Sequence, residues 1–443
     1  MKNNNGIMAK MSASDAWQAL LDKYDIKNEI ENNGIFRITA SQIKEVREPR
    51  LMAKWDSSEQ LPSSLKKNKI NILPDSRSSY ILSDFILYER LPELTECIQN
   101  MPTVTLPELE TIDVENITSE ANAINVLQIS GILEDFLELD HEEILYGTFD
   151  GRMSSGIFNF NVNTYRGISR TIEVNKAQME IDGGFESEHN IIILEAKNVL
   201  HEDFHVRQLY YPFRLWDSKV NKPIRLIFSI YTNKIFRLME YRFKDKNNYS
   251  SIELVRAKNY SLEDTTISIE ELKRVYDSVE AHNIIKDDMT ETDVPFIQAD
   301  NFERIISLLE NMYEADLNGE EIEELMQFTS RQTDYYYNAG KYLGIFEKYK
   351  DDDRVIKYRL TGLGRLVYSK NYKARQLLLV ELILSHQIFR DLFIYVKEIG
   401  ELPNKEIVKT AEIKYNVCSF NVADRRASTV ISWLRWIFNL PNL

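Results

Sequence analysis

Gln178-Met179-Glu180-Ile181-Asp182-Gly183-Gly184-Phe185, followed shortly by Ile191-Ile192-Ile193-Leu194-Glu195-Ala196-Lys197, is the stretch on which the reading of this chain turns. Ile191 to Leu194 is an unbroken apolar run rich in β-branched residues, which predicts a strand buried on both faces. Such a strand ending in Glu-Ala-Lys is unusual, because buried charges are normally paired or bound to metal. Strand alternation puts Glu195 and Lys197 on one side and Ala196 on the other. Asp182-Gly183-Gly184 reads as the start of a hairpin, with the glycines supplying the turn. That hairpin would bring the Asp182 and Glu195 carboxylates within reach of one ion. Carboxylate oxygens suit Mg²⁺, which keeps several waters and takes only one or two protein carboxylates. The ion would acidify a bound water and offset charge on a scissile phosphate. Lys197 would orient or deprotonate that water and stabilise the developing negative charge. The plain alternative is a surface Glu/Lys pair, against which the apolar run and the preceding Asp-Gly-Gly weigh.

This pattern resembles the PD-(D/E)XK nuclease core, and the whole chain resembles a type II restriction endonuclease. The resemblance implies an α/β (mixed α+β) fold: a mixed sheet flanked by helices. It also implies Asp182 and Glu195 as catalytic Mg²⁺ ligands and Lys197 beside the attacking water. Ile181 stands where the pattern has proline, at a position that varies widely in such nucleases. A polar residue on the helix after the lysine strand is implied as well. Gln208 is the candidate, ahead of Arg207, on a helix expected to start at Asp203 and run to Trp216. A solvated helix face is the alternative for both. Glu173, expected on a preceding helix, and Glu180, in phase with Asp182, are candidate extra acidic groups.

Length and composition set the frame. A chain of 443 residues predicts two or three domains, and 43% apolar residues suffice for their cores. No apolar run approaches a membrane span, and Met1 to Asn5 lack an apolar signal region. Cys97 and Cys418 form no metal motif, and a reducing cytoplasm is the expected compartment. His201 and His205 are four apart and could face zinc from a helix. With no third ligand evident they read as a surface pair. The net charge of −15 argues against a simple DNA coat, although a nuclease can concentrate positive charge in one cleft. Acidic clusters at Glu108 to Glu120, Glu134 to Glu143 and Glu314 to Glu324 are expected on outer faces. From Lys370 onward, 11 Lys/Arg against 7 Asp/Glu reverse the balance.

Four segments are expected: 1–110, a small α/β DNA-contacting domain; 111–295, the nuclease core; 296–370, a winged helix; and 371–443, a second helical or winged-helix unit. In the first, a helix over Ala16–Tyr24 and a strand over Ile35–Thr39 precede Arg47, Arg50, Lys54 and Trp55, which could grip phosphates or form an Arg/Glu network. Residues 122–138 read as one amphipathic helix, weakened by Gly131. Gly147 to Gly156 reads as a loop, whose Arg152 could read guanine or bind phosphate, although a simple turn is the safer reading.

In the third segment, two helices, then a third capped by Thr329-Ser330, then a hairpin around Lys350 to Arg354, give the winged-helix order. Arg331, Gln332, Tyr335 and Tyr336 on the third helix are the base-reading candidates. The acidic tip Asp351 to Asp353 fits phosphates poorly, and protein contacts are the alternative use. Arg375–Val396 reads as helical. The helix Asp424–Ile437 resembles a second recognition helix, with Arg425 and Arg426 as phosphate or base contacts. Together these readings give Mg²⁺-dependent, sequence-specific cleavage of double-stranded DNA by a homodimer, one site per strand. The resemblance implies a cognate DNA methyltransferase that protects host DNA. Two alternatives stay open: a winged-helix regulator without catalysis, and a repair or resolving nuclease.

Overall fold

The computed structural model describes residues 12–93, 98–100, 109–140, 142–279 and 283–442. Met1 to Asn5, Cys97 and Glu108, considered above, lie outside the described residues. The protein is mixed α/β, with several mixed and antiparallel sheets and a helical C-terminal region. Among the described residues no helix is long and apolar enough to cross a membrane.

The N-terminal unit packs helices Ala13–Lys23 and Ile26–Asn33 against a three-stranded antiparallel sheet, in the order Phe36–Thr39, Ser79–Ser83, Asn71–Pro74. Its core gathers on Trp17, Leu20, Ile38, Leu65 and Leu82. Burying an indole requires a partner for its N–H. Trp17 Nε1 finds one in the Met52 carbonyl at 2.8 Å.

The central sheet has seven strands, in the order Ile98–Asn100, Ile252–Ser261, Ile235–Phe243, Ile224–Thr232, Ile191–Lys197, Gln178–Glu186, Tyr146–Ser154. Ile191–Lys197 pairs in parallel with Ile224–Thr232. Parallel neighbours need a crossover, and helix Arg207–Asp217 supplies it. Two apolar layers cover the sheet. Leu209, Tyr210, Tyr211 and Leu215 of the crossover helix cluster with Ile193 and Phe228. Helices Glu120–Ile129 and Ile132–Leu137 cluster with Ile192, Leu194 and Ile227, the alternate residues of the same strands. This is why Ile191–Leu194 is apolar without interruption.

Several local expectations are corrected. Gly183 and Gly184 lie inside strand Gln178–Glu186, opposite Leu194 and Ile193, and the turn falls at Ser187–Asn190. A Cβ on Gly184 would stand 2.2 Å from the Phe149 carbonyl oxygen, so the glycine serves close strand approach rather than turning. Gly147 to Gly156 is largely strand, not loop, its pairing with Gln178–Glu186 broken by two register shifts. Glu173 lies on strand Ser169–Asn175, exposed, not on a helix. The 122–138 helix is two helices, divided where Gly131 takes a left-handed conformation (φ 72°). Asp203–His205 is a strand paired with Tyr88–Arg90, so the crossover helix starts only at Arg207. Arg375–Val396 is split between helices Tyr372–Leu384 and Gln387–Ile399.

In the C-terminal region, Phe302–Asn311, Gly319–Met326 and Ser330–Tyr342 are helices, followed by the hairpin Phe346–Lys350 and Ile356–Leu360. The two-residue strand Leu317–Asn318 adds to that hairpin as a third strand. Residues 371–442 are otherwise helical among the described residues. One apolar cluster, including Phe302, Ile305, Phe346, Tyr372, Phe389, Trp433 and Leu434, runs through both 296–370 and 371–442.

Candidate active site

The hairpin of strands Gln178–Glu186 and Ile191–Lys197 sets Asp182 beside Glu195. Gly183 pairs with Leu194, and one step further Asp182 Oδ2 accepts from the Ala196 N–H at 3.0 Å. That bond fixes one carboxylate oxygen at the end of the neighbouring strand. Glu195, 6% exposed, accepts from Lys197 Nζ at 2.6 Å and from Gln208 Nε2 at 2.5 Å. Gln208 lies in the first turn of the crossover helix, which packs on both strands and so aims at the site. Asp182, Glu195, Lys197 and Gln208 are therefore brought together as the sequence suggests.

Two further acids join them. Glu120, in the first turn of a helix capped by Ser119, lies 3.9 Å from Lys197 Nζ, as does Asp182. Glu120 thus reaches the cluster from a preceding helix, where Glu173 was expected. Asp56, from the N-terminal unit, adds its charge to Glu195, Lys197 and Glu120. Its carbonyl accepts from the His205 N–H at 2.9 Å, which docks the 56–58 segment on this part of the core. The sequence signal for Glu120 was its place after a serine N-cap at the start of an apolar helix. Asp56 carries no such signal.

Burial and the neighbouring negative charges push the Glu195 carboxyl up to about 8, against the pull of Lys197. Burial alone would lower the Lys197 ammonium, but Glu195 where ionised, with Glu120, Asp56 and Asp182, outweighs it and raises its pKa. Lys197 is accordingly a fixed cation. Burial also raises Glu120, with Lys197 pulling it back.

Among the described residues no three His, Cys, Asp or Glu side chains stand close enough to cage a metal. The donor set nevertheless suits Mg²⁺, which needs one or two carboxylates and retains waters. Asp182 and Glu195 provide these, and Gln208 Oε1 beside them is buried with no partner. His201 and His205 are both buried rather than a surface pair. Burial and Arg304 push the His201 imidazole down to about 3. His205 Nδ1 lies 3.1 Å from the Tyr249 hydroxyl.

The residues expected at DNA fare differently. Gln332 caps its own helix with Thr329 and donates to Glu59 Oε1 at 2.7 Å. Tyr336 is 4% exposed and stacks on Phe328. Neither faces a groove in this arrangement, because Glu59 of the N-terminal unit holds Gln332, and Phe328 and the Arg304 guanidinium cover Tyr336. Arg331 remains exposed, paired with the Tyr335 hydroxyl. Arg425 donates to Gln298 at 2.6 Å, and Arg426 to the Ile297 carbonyl at 3.1 Å. Arg50 and Lys54 are exposed and Arg47 half-buried. Lys54 lies near enough to Glu120 to lower its carboxyl, so it belongs to the surroundings of the acid cluster. Arg152 is exposed on its strand and pairs with Glu180 at 3.4 Å.

Residues 14–82, 83–261 and 304–442 match three family models, each described as a domain of unknown function (DUF6996, DUF6997 and DUF7226). Glu120, Asp182, Glu195, Lys197 and Gln208 all fall in the second, and Asp56 in the first. No curated protein and no solved structure matches the chain.

Proposed function

We propose that this chain is a Mg²⁺-dependent type II restriction endonuclease that hydrolyses phosphodiester bonds in double-stranded DNA. The carrying observation is the gathering of Asp182, Glu195 and Glu120 about the Lys197 ammonium, with Gln208 hydrogen-bonded to Glu195. The parallel pair Ile191–Lys197 and Ile224–Thr232, flanked by helices on both faces, supports a restriction-endonuclease-like core. The order helix, strand, helix, helix, hairpin over 302–360 supports a winged helix. In this reading the partners are DNA, a second copy of the chain and a methyltransferase that protects the same sequence.

Asp182 and Glu195 would hold the ion, which supplies an acidified water and neutralises phosphate charge. Lys197, kept protonated by its neighbours, stabilises negative charge developing on the phosphate. It does not serve as the base. Gln208 uses Nε2 to hold Glu195 and has Oε1 left to accept a hydrogen from the attacking water. Glu120, half-exposed and raised by burial, is the carboxylate placed to take that water's proton.

Purified protein is incubated with unmethylated phage DNA in Mg²⁺ or EDTA, beside a Lys197→Ala control. Discrete bands that need Mg²⁺ and vanish in the variant are expected. Intact DNA in every lane, with binding retained in a gel shift, would sink the proposal and favour a regulator.

A further inference from the structure

A cavity of about 170 Å³ lies between the irregular segment 284–297, which leads into the C-terminal helices, and two of those helices. The segment contributes Ile285, Asp287, Thr292, Val294 and Phe296 to its walls. Tyr342 comes from the end of helix Ser330–Tyr342, and His386 from just before helix Gln387–Ile399. Main-chain bonds pin the segment in place. The Ile285 N–H donates to the Ser385 carbonyl at 2.8 Å, the Gln387 N–H to the Ile285 carbonyl at 3.0 Å, and the Met289 N–H to the Asn416 carbonyl at 2.9 Å. The space is therefore preformed, as ligand pockets usually are.

Three polar groups of the wall are bonded to one another. Asp287 Oδ2 accepts from the Tyr342 hydroxyl at 2.8 Å, and Asp287 Oδ1 lies 2.7 Å from His386 Nδ1. Burial and the Asp287 charge raise the Tyr342 pKa, so the hydroxyl keeps the proton that it donates. An ionised carboxylate only accepts, which places a hydrogen on His386 Nδ1 and leaves Nε2 of the neutral ring as an acceptor. The Tyr342 ring stacks on one face of the imidazole, 3.7 Å between ring centres, and so fixes its plane. Among the described residues no group occupies Nε2, and it is not closed off as a buried atom without a partner. The rest of the wall is mainly apolar: Ile285, Val294 and Phe296. A fixed acceptor in such a wall suits one hydrogen donor on an apolar body. Volume limits the body to a single ring, since a dry cavity of about 150 Å³ takes up benzene.

We propose that this cavity binds an uncharged single-ring compound of the phenol class, its hydroxyl donating to His386 Nε2. The cavity shares no residue with the acid cluster, so the proposal stands or falls independently of the endonuclease reading.

Binding of phenol, benzene and benzoate to the full chain is measured by calorimetry. Phenol should bind about fivefold more tightly than benzene, through the one added hydrogen bond. Benzoate should bind least, because its charge would enter an apolar wall. Val294→Phe fills the space without touching the three bonded groups, and should weaken phenol binding by at least about tenfold at unchanged melting temperature. His386→Leu should bring phenol down to the affinity of benzene. If that variant does not fold, the ¹⁵N resonance of His386 Nε2 in the parent protein should move with phenol and stay still with benzene. No phenol binding, equal binding of phenol and benzene, tighter binding of benzoate, or phenol binding that survives Val294→Phe overturns the proposal.

Discussion

The acid cluster around Lys197 and the docked helix Ser330–Tyr342 both bury polar groups, but they use them in opposite ways. At the first, charges are brought together incompletely matched. Glu195 is pushed up to about 8 and Gln208 Oε1 has no partner. At the second, Glu59 takes hydrogen bonds from Gln332 and from Arg304, whose side chain is fully buried. That is a latch between the N-terminal and C-terminal units. Both places leave buried polar atoms without a hydrogen-bond partner, Glu59 Oε2 and Arg304 Nε at the second, so neither buried charge nor an unpartnered atom alone marks a site. What separates them is that the first gathers several carboxylates about one ammonium and drives the Glu195 carboxyl far from its ordinary range.

The largest expected effect separates the two regions directly. Asp182→Asn or Lys197→Ala should lower DNA cleavage by about 10³-fold while DNA affinity in EDTA changes little. A comparable cleavage loss in Glu59→Ala, with its fold intact, would erase the distinction. The Glu59→Ala change should instead cost about 3 kcal/mol in urea unfolding, because it leaves the buried Arg304 guanidinium with only the more distant Glu202 carboxylate. An unchanged midpoint would show that the latch is not structural.

The next effect is set by pH. Glu195 holds its proton to about pH 8 in the fold, against 4.5 for an ordinary glutamate. Its stabilising contribution is therefore full below about pH 4.5 and lost as pH rises towards 8. Glu195→Gln removes that dependence, so in metal-free buffer its melting temperature should exceed the parent's by several degrees at pH 8 and by little at pH 5. Equal gaps at both pH values would refute the buried, mismatched carboxyl. For the same reason Mg²⁺ affinity should climb between pH 6 and 8, read by calorimetry. The smallest effect belongs to the exposed arginine of the docked helix. Arg331→Ala should weaken DNA binding only a few-fold and flatten its salt dependence by about one unit of slope. Complete loss of binding would mean that this helix reads DNA after undocking from Glu59.

The site was legible to the extent that it is local. Asp182, Glu195 and Lys197 belong to one hairpin, where alternation and register follow from the apolar pattern, and Gln208 follows on the next helix. Glu120 and Asp56 come from separate elements, and only the packed tertiary structure brings them in. Gly183-Gly184 misled because glycine marks both turns and close strand approach, and the Phe149 contact behind it lies on another strand. Asp203–His205 is a strand only because Tyr88–Arg90 pairs with it from more than a hundred residues away. Gln332 and Tyr336 are residue types suited to base contacts, but a helix surface does not announce what will cover it.

The Arg304–Glu59 pair joins residues 245 positions apart in the chain. The stretches matching separate family models at 14–82 and 304–442 are thus joined by this ion pair, beside the hydrogen bonds of Gln332 to Glu59 and of Gln60 to the Glu323 carbonyl. A gene fragment encoding only the C-terminal helices would leave that arginine's carboxylate behind. Recombination that exchanged the N-terminal stretch would have to bring in an acid at the same place. Either change would leave a buried guanidinium without its nearest carboxylate, so each end stretch depends on the other for part of its stability.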